Sequence, residues 1–362
     1  MYSYSCFIFY LLFFCYIIGI GGYMLNIYDY DLEKLEELLV SLGEKKFRAK
    51  QIWEWLYKHK VTSFDEMTNL SKDLINKLKE NVSFDYIVIQ RKQEDNLTKK
   101  YLFKLVDGNF IEAVLMEHDY GLSICVSSEV GCNMGCAFCE SGRLKRVRNL
   151  NTYEIVEQIL IIEKDLNRRI DSVVVMGIGE PFDNYDNIIN FVRIINNPFG
   201  LAIGARHITI STCGVVPKIK EFMNLNLQVN LAISLHAPSN ELRNRLMPIN
   251  KAYPLEELID TLKEYIDKTN RRVTIEYVML KEVNDSVECA NLLADLLRGM
   301  NVYVNLIPYN ETSHIEFKKS DKNSIMKFYD TLKKCGINVT IRKEFGSNID
   351  AACGQLRAKE VN

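Results

Sequence analysis

GCNMGCAFCES, residues 131–141, crowds three cysteines into one short loop, Cys132, Cys136 and Cys139, spaced C-x3-C-x2-C. A structural zinc or a ferredoxin-type iron–sulfur cluster usually takes four protein ligands. This loop offers three, and no cysteine or histidine follows soon enough to complete the set locally. Three thiolates on one loop can hold three irons of a cubane and leave the fourth open to a chelating substrate or cofactor, much as a catalytic zinc keeps one position free. Spacing alone leaves a second reading open, a zinc site completed by a distant cysteine such as Cys213 or Cys289.

The loop follows "SICVSS" (123–128), the first of a series of short, β-rich apolar runs separated by helical stretches. The others are "SVVVMG", "HITIST", "VNLAISLH", "VTIEYVML", "VYVNLIPY" and, last, "NVTIRKEF". Strand alternating with helix at this spacing implies a parallel sheet with right-handed crossovers, and so many units suggest a barrel or part of one. No G-x-G-x-x-G follows the first strand, so a dinucleotide site is not supported. In such barrels the site lies at the C-terminal ends of the strands. That rule gathers the cysteine loop, Gly177–Glu180, Ser211–Thr212, Ser234–His236 and Asn310 at one mouth.

Ahead of this series, residues from Asp29 to about Asn81 have helical periodicity, with Gly43 as a C-cap and Ser63 and Ser71 as N-caps. Trp53 and Trp55 read as packing residues. A hairpin follows, turning at Asp107-Gly108. The expected boundaries are a helical unit at 24–95, a hairpin linker at 96–120, the α/β core at 121–345 and a C-terminal segment at 346–362.

A net charge of −2 argues neither for nor against nucleic acid. The basic pairs Lys99-Lys100, Arg168-Arg169, Arg271-Arg272 and Arg342-Lys343 each read as a solvated face, but Arg143, Lys145, Arg146 and Arg148 ring the cysteine loop with positive charge. The ten cysteines are not spaced like a secreted disulfide framework, which points to a reducing compartment, the cytoplasm. Residues 1–23 are uncharged and almost wholly apolar, long enough for a membrane span but poor as a signal peptide. Ile20-Gly21-Gly22-Tyr23 can be encoded with AGGAGG a few nucleotides before the Met24 codon, so translation is expected to start at Met24 and no stable membrane partner is expected.

The loop, with Phe138 before its last cysteine, resembles the radical S-adenosylmethionine superfamily, and "MGIGEP" (176–181) resembles its cofactor-binding segment. "CVSSEVGC", "MGIGEPFDN", "RHITISTCGVVP", "AISLHAP", "RLMPIN", "TIEYVML", "VNLIPYN" and "IDAACGQL" together are similar to the RlmN family of adenine carbon 2 methyltransferases, over about Asp29 to Lys359. The sister Cfr enzymes methylate carbon 8, and retention of Glu180-Pro181 favours the carbon 2 reading. A rival of another class is a non-catalytic, zinc-stabilised RNA-binding protein.

The resemblance implies a partial (β/α)6 TIM-type radical SAM barrel with a small helical N-terminal domain and a linking β-hairpin. It implies one 4Fe-4S cluster on Cys132, Cys136 and Cys139, and two S-adenosylmethionines per turnover. Gly179, Glu180, Ser211, Ser234, Leu235, His236 and Asn310 map onto the cofactor contacts. Cys353 becomes the methyl carrier, as S-methylcysteine, and Cys125 the resolving thiol that forms a transient disulfide with it. Glu112 becomes the proton acceptor, helped by an apolar setting, although alone it reads as a strand carboxylate facing water. The implied partners are 23S rRNA, transfer RNA, and an electron donor such as flavodoxin or ferredoxin.

Overall fold

The structure, a computed structural model, describes residues 24–343 and 345–356. The expectations for residues 1–23, and for the end of the C-terminal segment, lie outside the described residues. No helix among the described residues is long and apolar enough to cross a membrane.

Ten strands form one sheet, and their spatial order is their chain order. The first four are β1 (Val88–Asp95), β2 (Thr98–Lys104), β3 (Phe110–His118) and β4 (Gly121–Val126). They pair antiparallel. From β4 onward every pairing is parallel, through β5 (Ser172–Val175), β6 (Ile208–Thr212), β7 (Asn230–Ser234), β8 (Val273–Met279), β9 (Val302–Pro308) and β10 (Val339–Ile341). This is the expected series of α/β units, extended at one edge by the hairpin.

The parallel strands read as apolar runs because crossover connections keep their faces covered from water. Val173 and Val175, Ile208 and Ile210, and Leu231 and Ile233 are all buried. The register aligns polar residues near the strand ends: Ser234 lies opposite Glu276, and Glu276 opposite Asn305. Asn305 donates to the Glu276 carboxylate at 2.8 Å.

Strand β1 was not expected. Its residues, VIQRKQED, alternate between exposed and half-buried, and half of them are charged. A charged edge strand shields its unpaired backbone from other chains, and for the same reason it lacks the apolar signature of a strand.

The N-terminal helices follow their sequence signals. Leu35, Leu38 and Leu39 bury one face of Leu32–Ser41, and the Asp31 side chain accepts from the Lys34 amide at 2.9 Å. Gly43, at φ +78°, ends that helix. Ser63 and Ser71 cap as expected. This unit shares the main hydrophobic core. Polar anchors fix it on Thr152–Leu166: Asp29 accepts from the Tyr153 amide at 2.9 Å, and Glu157 from the Ile87 amide at 2.8 Å.

Candidate functional site

A cavity opens at the C-terminal ends of β4 to β9. Cys132, Cys136 and Cys139 line it from the loop after β4, and Gly179 and Glu180 from the turn after β5. Ser211, Ser234, His236 and Asn310 line it from the ends of β6, β7 and β9, and Cys353 enters from the C-terminal segment.

The cysteine loop is held by its backbone. The Cys132 amide donates to the Leu144 carbonyl at 3.0 Å, and the Ala137 amide to Leu246 at 2.9 Å. Burial pushes all three thiols up, Cys132 to about 12 and Cys136 and Cys139 in the same direction. They therefore stay protonated at neutral pH unless a bound cation replaces the protons. Among the described residues no three His, Cys, Asp or Glu side chains converge on a single-ion position. One zinc ion needs its donors around one point, whereas a cubane takes one sulfur per iron. Three thiol donors from one loop suit a cubane whose fourth iron is left to another ligand.

Glu180 is buried, and both its oxygens accept backbone hydrogen bonds, from Cys213 at 2.8 Å and Phe182 at 3.0 Å. Its own amide donates to Glu129 at 2.8 Å. Glu129 is in turn bound by Arg146 at 3.0 Å, and burial raises its carboxyl to about 7. Burial also raises the Glu180 carboxyl. His236 has φ +57°, and its Nδ1 accepts from the Val278 amide at 3.0 Å. Burial, helped by Arg243, pushes it down to about 3, so the ring is neutral at physiological pH. Leu235 departs from expectation: its side chain packs into the main core and does not line the cavity.

A second cavity adjoins the first and is lined by Cys125, Val114 and Phe345. Cys353, Arg342 and Asn310 line both. Cys125 and Cys353 are free thiols. Burial, then the nearby Cys353 sulfur, raises Cys125 to about 12.

Arg342 was missed as a site residue. It reads in the sequence as half of a surface basic pair, yet it lines both cavities beside Cys353, and its guanidinium faces the Cys353 sulfur and Glu276. Those two groups hold it more firmly protonated than usual, against its burial. Its position immediately after the last strand could have flagged it, as could the charge of Glu276 inside an apolar strand.

Glu112 lines neither cavity. It shares a face of β3 with Val114, which lies opposite Cys125. It is buried rather than facing water, and its setting is not purely apolar: the Lys100 ammonium lies 3.4 Å away. Lys100, read as surface in the sequence, also donates to the Asp350 carbonyl at 3.2 Å, tying the Cys353 segment to the hairpin. Replacing Lys100 with methionine removes the cation facing a buried carboxylate and is expected to cost about 3 kcal/mol. Urea unfolding checks this, and adding Glu112→Gln should restore most of the loss.

Residues 25–84 match the family described as Ribosomal RNA large subunit methyltransferase N-terminal domain, and residues 126–293 match the Radical SAM superfamily. A protein of Enterococcus faecalis named "Probable dual-specificity RNA methyltransferase RlmN" is 56% identical, covering 93% of this chain and 97% of its own length. One of the same name from Acholeplasma laidlawii is 55% identical over 92% of this chain and 99% of its own. The chain belongs to the RlmN family. The crystal structure of a radical SAM methyltransferase from Sphaerobacter thermophilus superposes with a TM-score of 0.88 at 41% identity, covering 92% of this chain and 100% of that one. Radical SAM membership brings a 4Fe-4S cluster and S-adenosylmethionine, in keeping with the donor set described above.

Proposed function

We propose that this RlmN-family protein methylates carbon 2 of an adenine in 23S ribosomal RNA and in transfer RNA, with Cys353 carrying the methyl group. The observation that carries the reading is that Cys353 lines both cavities, one shared with the three loop cysteines and Glu180, the other with Cys125.

Cys132, Cys136 and Cys139 would hold the cluster. Gly179, Glu180, Ser211, Ser234, His236, Asn310 and the backbone of Leu235 would hold S-adenosylmethionine. Together these groups, when bound, supply methyl donation and one-electron hydrogen abstraction, using two S-adenosylmethionines per turnover and an electron donor such as flavodoxin or ferredoxin. Glu180 offers its buried carboxylate to the amino group of the cofactor. Cys353 would take the methyl group of one S-adenosylmethionine by displacement, with S-adenosylhomocysteine as the leaving group and the Arg342 guanidinium facing its sulfur. Glu112 is assigned the ring proton by the family motif, with Lys100 fixing its carboxylate against the carrier segment. Once the carrier carbon is bonded to both the Cys353 sulfur and the adenine ring, Cys125 would attack that sulfur and break its bond to carbon. The carbon then leaves on the RNA, and a Cys125–Cys353 disulfide remains for cytoplasmic reductants to reopen.

An adenine must be turned out of its RNA fold to reach the barrel mouth. Residues 24–95 would grip the RNA backbone beside the core at 121–345, with 96–120 linking them and 346–362 carrying the methyl group. The basic run contributes less than its sequence suggests. Arg146 is bound to Glu129 and Asp183, and Arg148 to Asp107 and Glu154. Arg143 and Lys145 are the exposed members. Arg143→Ala/Lys145→Ala is expected to weaken RNA binding and to reduce its salt slope by about one per lost phosphate contact. Unchanged affinity and slope would remove these residues from the interface.

The test of the function is digestion of RNA after reaction and identification of the methyladenosine isomer. 2-Methyladenosine supports the proposal, and 8-methyladenosine supports a Cfr-like activity. A colourless zinc protein that methylates nothing would leave only an RNA-binding role.

A further inference from the structure

Arg243, on the short helix Asn240–Leu246, is fully buried, at 0% exposure. A guanidinium removed from water normally meets a carboxylate. Arg243 meets neutral acceptors. Its Nε donates to the Leu235 carbonyl at 3.2 Å and Nη1 to the Asn250 Oδ1 at 2.9 Å. Its Nη2 donates to the carbonyls of Cys213 at 2.6 Å and Ser234 at 3.5 Å. Other cations near the site face acids: Arg146 pairs with Glu129, Lys100 with Glu112, and Arg342 faces Glu276. Cys213 and Ser234, whose carbonyls it holds, line the cavity together with Cys136, one of the three loop cysteines. The sulfurs of Cys213 and Cys136 are the groups that would attract its charge once deprotonated. Arg243 stands behind the cavity wall rather than lining it, so it is not placed to touch RNA or S-adenosylmethionine.

We propose that Arg243 is the built-in countercharge of the cluster held by Cys132, Cys136 and Cys139, and that it raises the reduction potential of that cluster. The inference rests on the reading of those thiols as cluster ligands. Three thiolates around a 2+ core leave a net charge of −1, and one-electron reduction makes it −2. A fixed cation in a water-excluded wall stabilises the reduced state more than the oxidised one, because attraction grows with the charge of its partner and is weakly screened there. The acceptor cradle of Leu235, Cys213, Ser234 and Asn250 satisfies the N–H groups without cancelling the charge, which leaves it available to the cluster.

Two variants of the full chain, anaerobically reconstituted, separate electrostatics from scaffolding. Arg243→Gln removes the charge. Asn250→Asp leaves the guanidinium in place but sets a carboxylate where the 2.9 Å hydrogen bond already is. It gives up the bonds that the Asn250 amide donates to Asn240 at 3.0 Å and Asn244 at 2.9 Å, a loss that thermal unfolding registers separately from the potential. The reduced cluster is followed by electron paramagnetic resonance during potentiometric titration, without S-adenosylmethionine, with iron content and thermal unfolding measured alongside. Both variants are expected to disfavour reduction at least tenfold, a downward shift of about 59 mV for a one-electron couple. Arg243→Lys should stay closer to wild type. If Arg243→Gln fails to load, Asn250→Asp decides, because it keeps every Arg243 hydrogen bond. A wild-type midpoint in cluster-loaded Asn250→Asp overturns the proposal and leaves Arg243 as a prop for the loop. A wild-type chain that assembles no cluster overturns the reading of the loop instead, so the two failures are distinct.

Discussion

Cys353→Ala is expected to abolish RNA methylation and to form no protein–RNA adduct, whereas Cys125→Ala should accumulate a covalent adduct that wild type does not. Mass spectrometry and denaturing gels of the reacted protein check both. Among the described cysteines, Cys353 alone lines both cavities, so no neighbouring thiol can take over the carrier role. Cys125 lines only the second cavity, beside Cys353 and away from the loop cysteines, which suits release rather than loading. Free RNA from Cys125→Ala at the wild-type rate would remove Cys125 from the mechanism.

The release step carries a pH signature. Burial is the larger cause of the rise of Cys125 to about 12, and it persists when the Cys353 sulfur is methylated and no longer contributes charge. Below its pKa the thiolate fraction grows tenfold per pH unit. Single-turnover release should therefore keep rising through pH 9, where a thiol at its ordinary value of 9.0 would begin to level off.

Much of this arrangement was legible in the sequence because it lies where the chain punctuates itself. Four of the parallel strands are apolar runs that end in or lead directly into Gly, Ser or Asn, and those endings supply Gly179, Ser211, Ser234 and Asn310 to the cavity. What was not legible are charges whose burial depends on distant partners. Arg342 and Lys100 look like surface pairs until the C-terminal segment folds back over the sheet edge and meets both. Arg243 sits in "ELRNRL", a polar helical stretch, and only the tertiary cradle of backbone carbonyls shows it is buried. Arg146 and Arg148 likewise read as free surface charge, and the structure pairs both with acids from elsewhere in the chain. Leu235 illustrates a third limit: a motif marks a position, but not whether backbone or side chain faces the site.

Gly179→Ala should be a strongly damaging small substitution in the cavity, and comparison with Gly43→Ala isolates the reason. Both glycines have positive φ, +111° and +78°. A Cβ at Gly43 meets nothing within 4 Å, so Gly43→Ala is expected to cost only backbone strain, about 1 kcal/mol. A Cβ at Gly179 would lie 2.6 Å from the Ser128 hydroxyl and 2.7 Å from Glu129 Cβ and Cγ. Glu129 cannot yield freely, because it holds the Glu180 amide on one side and Arg146 on the other. Strain and overpacking together should cost about 3 kcal/mol or more in urea unfolding. The turn that shifts to relieve the clash carries Glu180, so S-adenosylmethionine affinity should fall more than tenfold, while Gly43→Ala leaves it unchanged. Equal stability losses in the two variants would mean that the Ser128–Glu129 wall gives way easily and that the turn is not fixed by it.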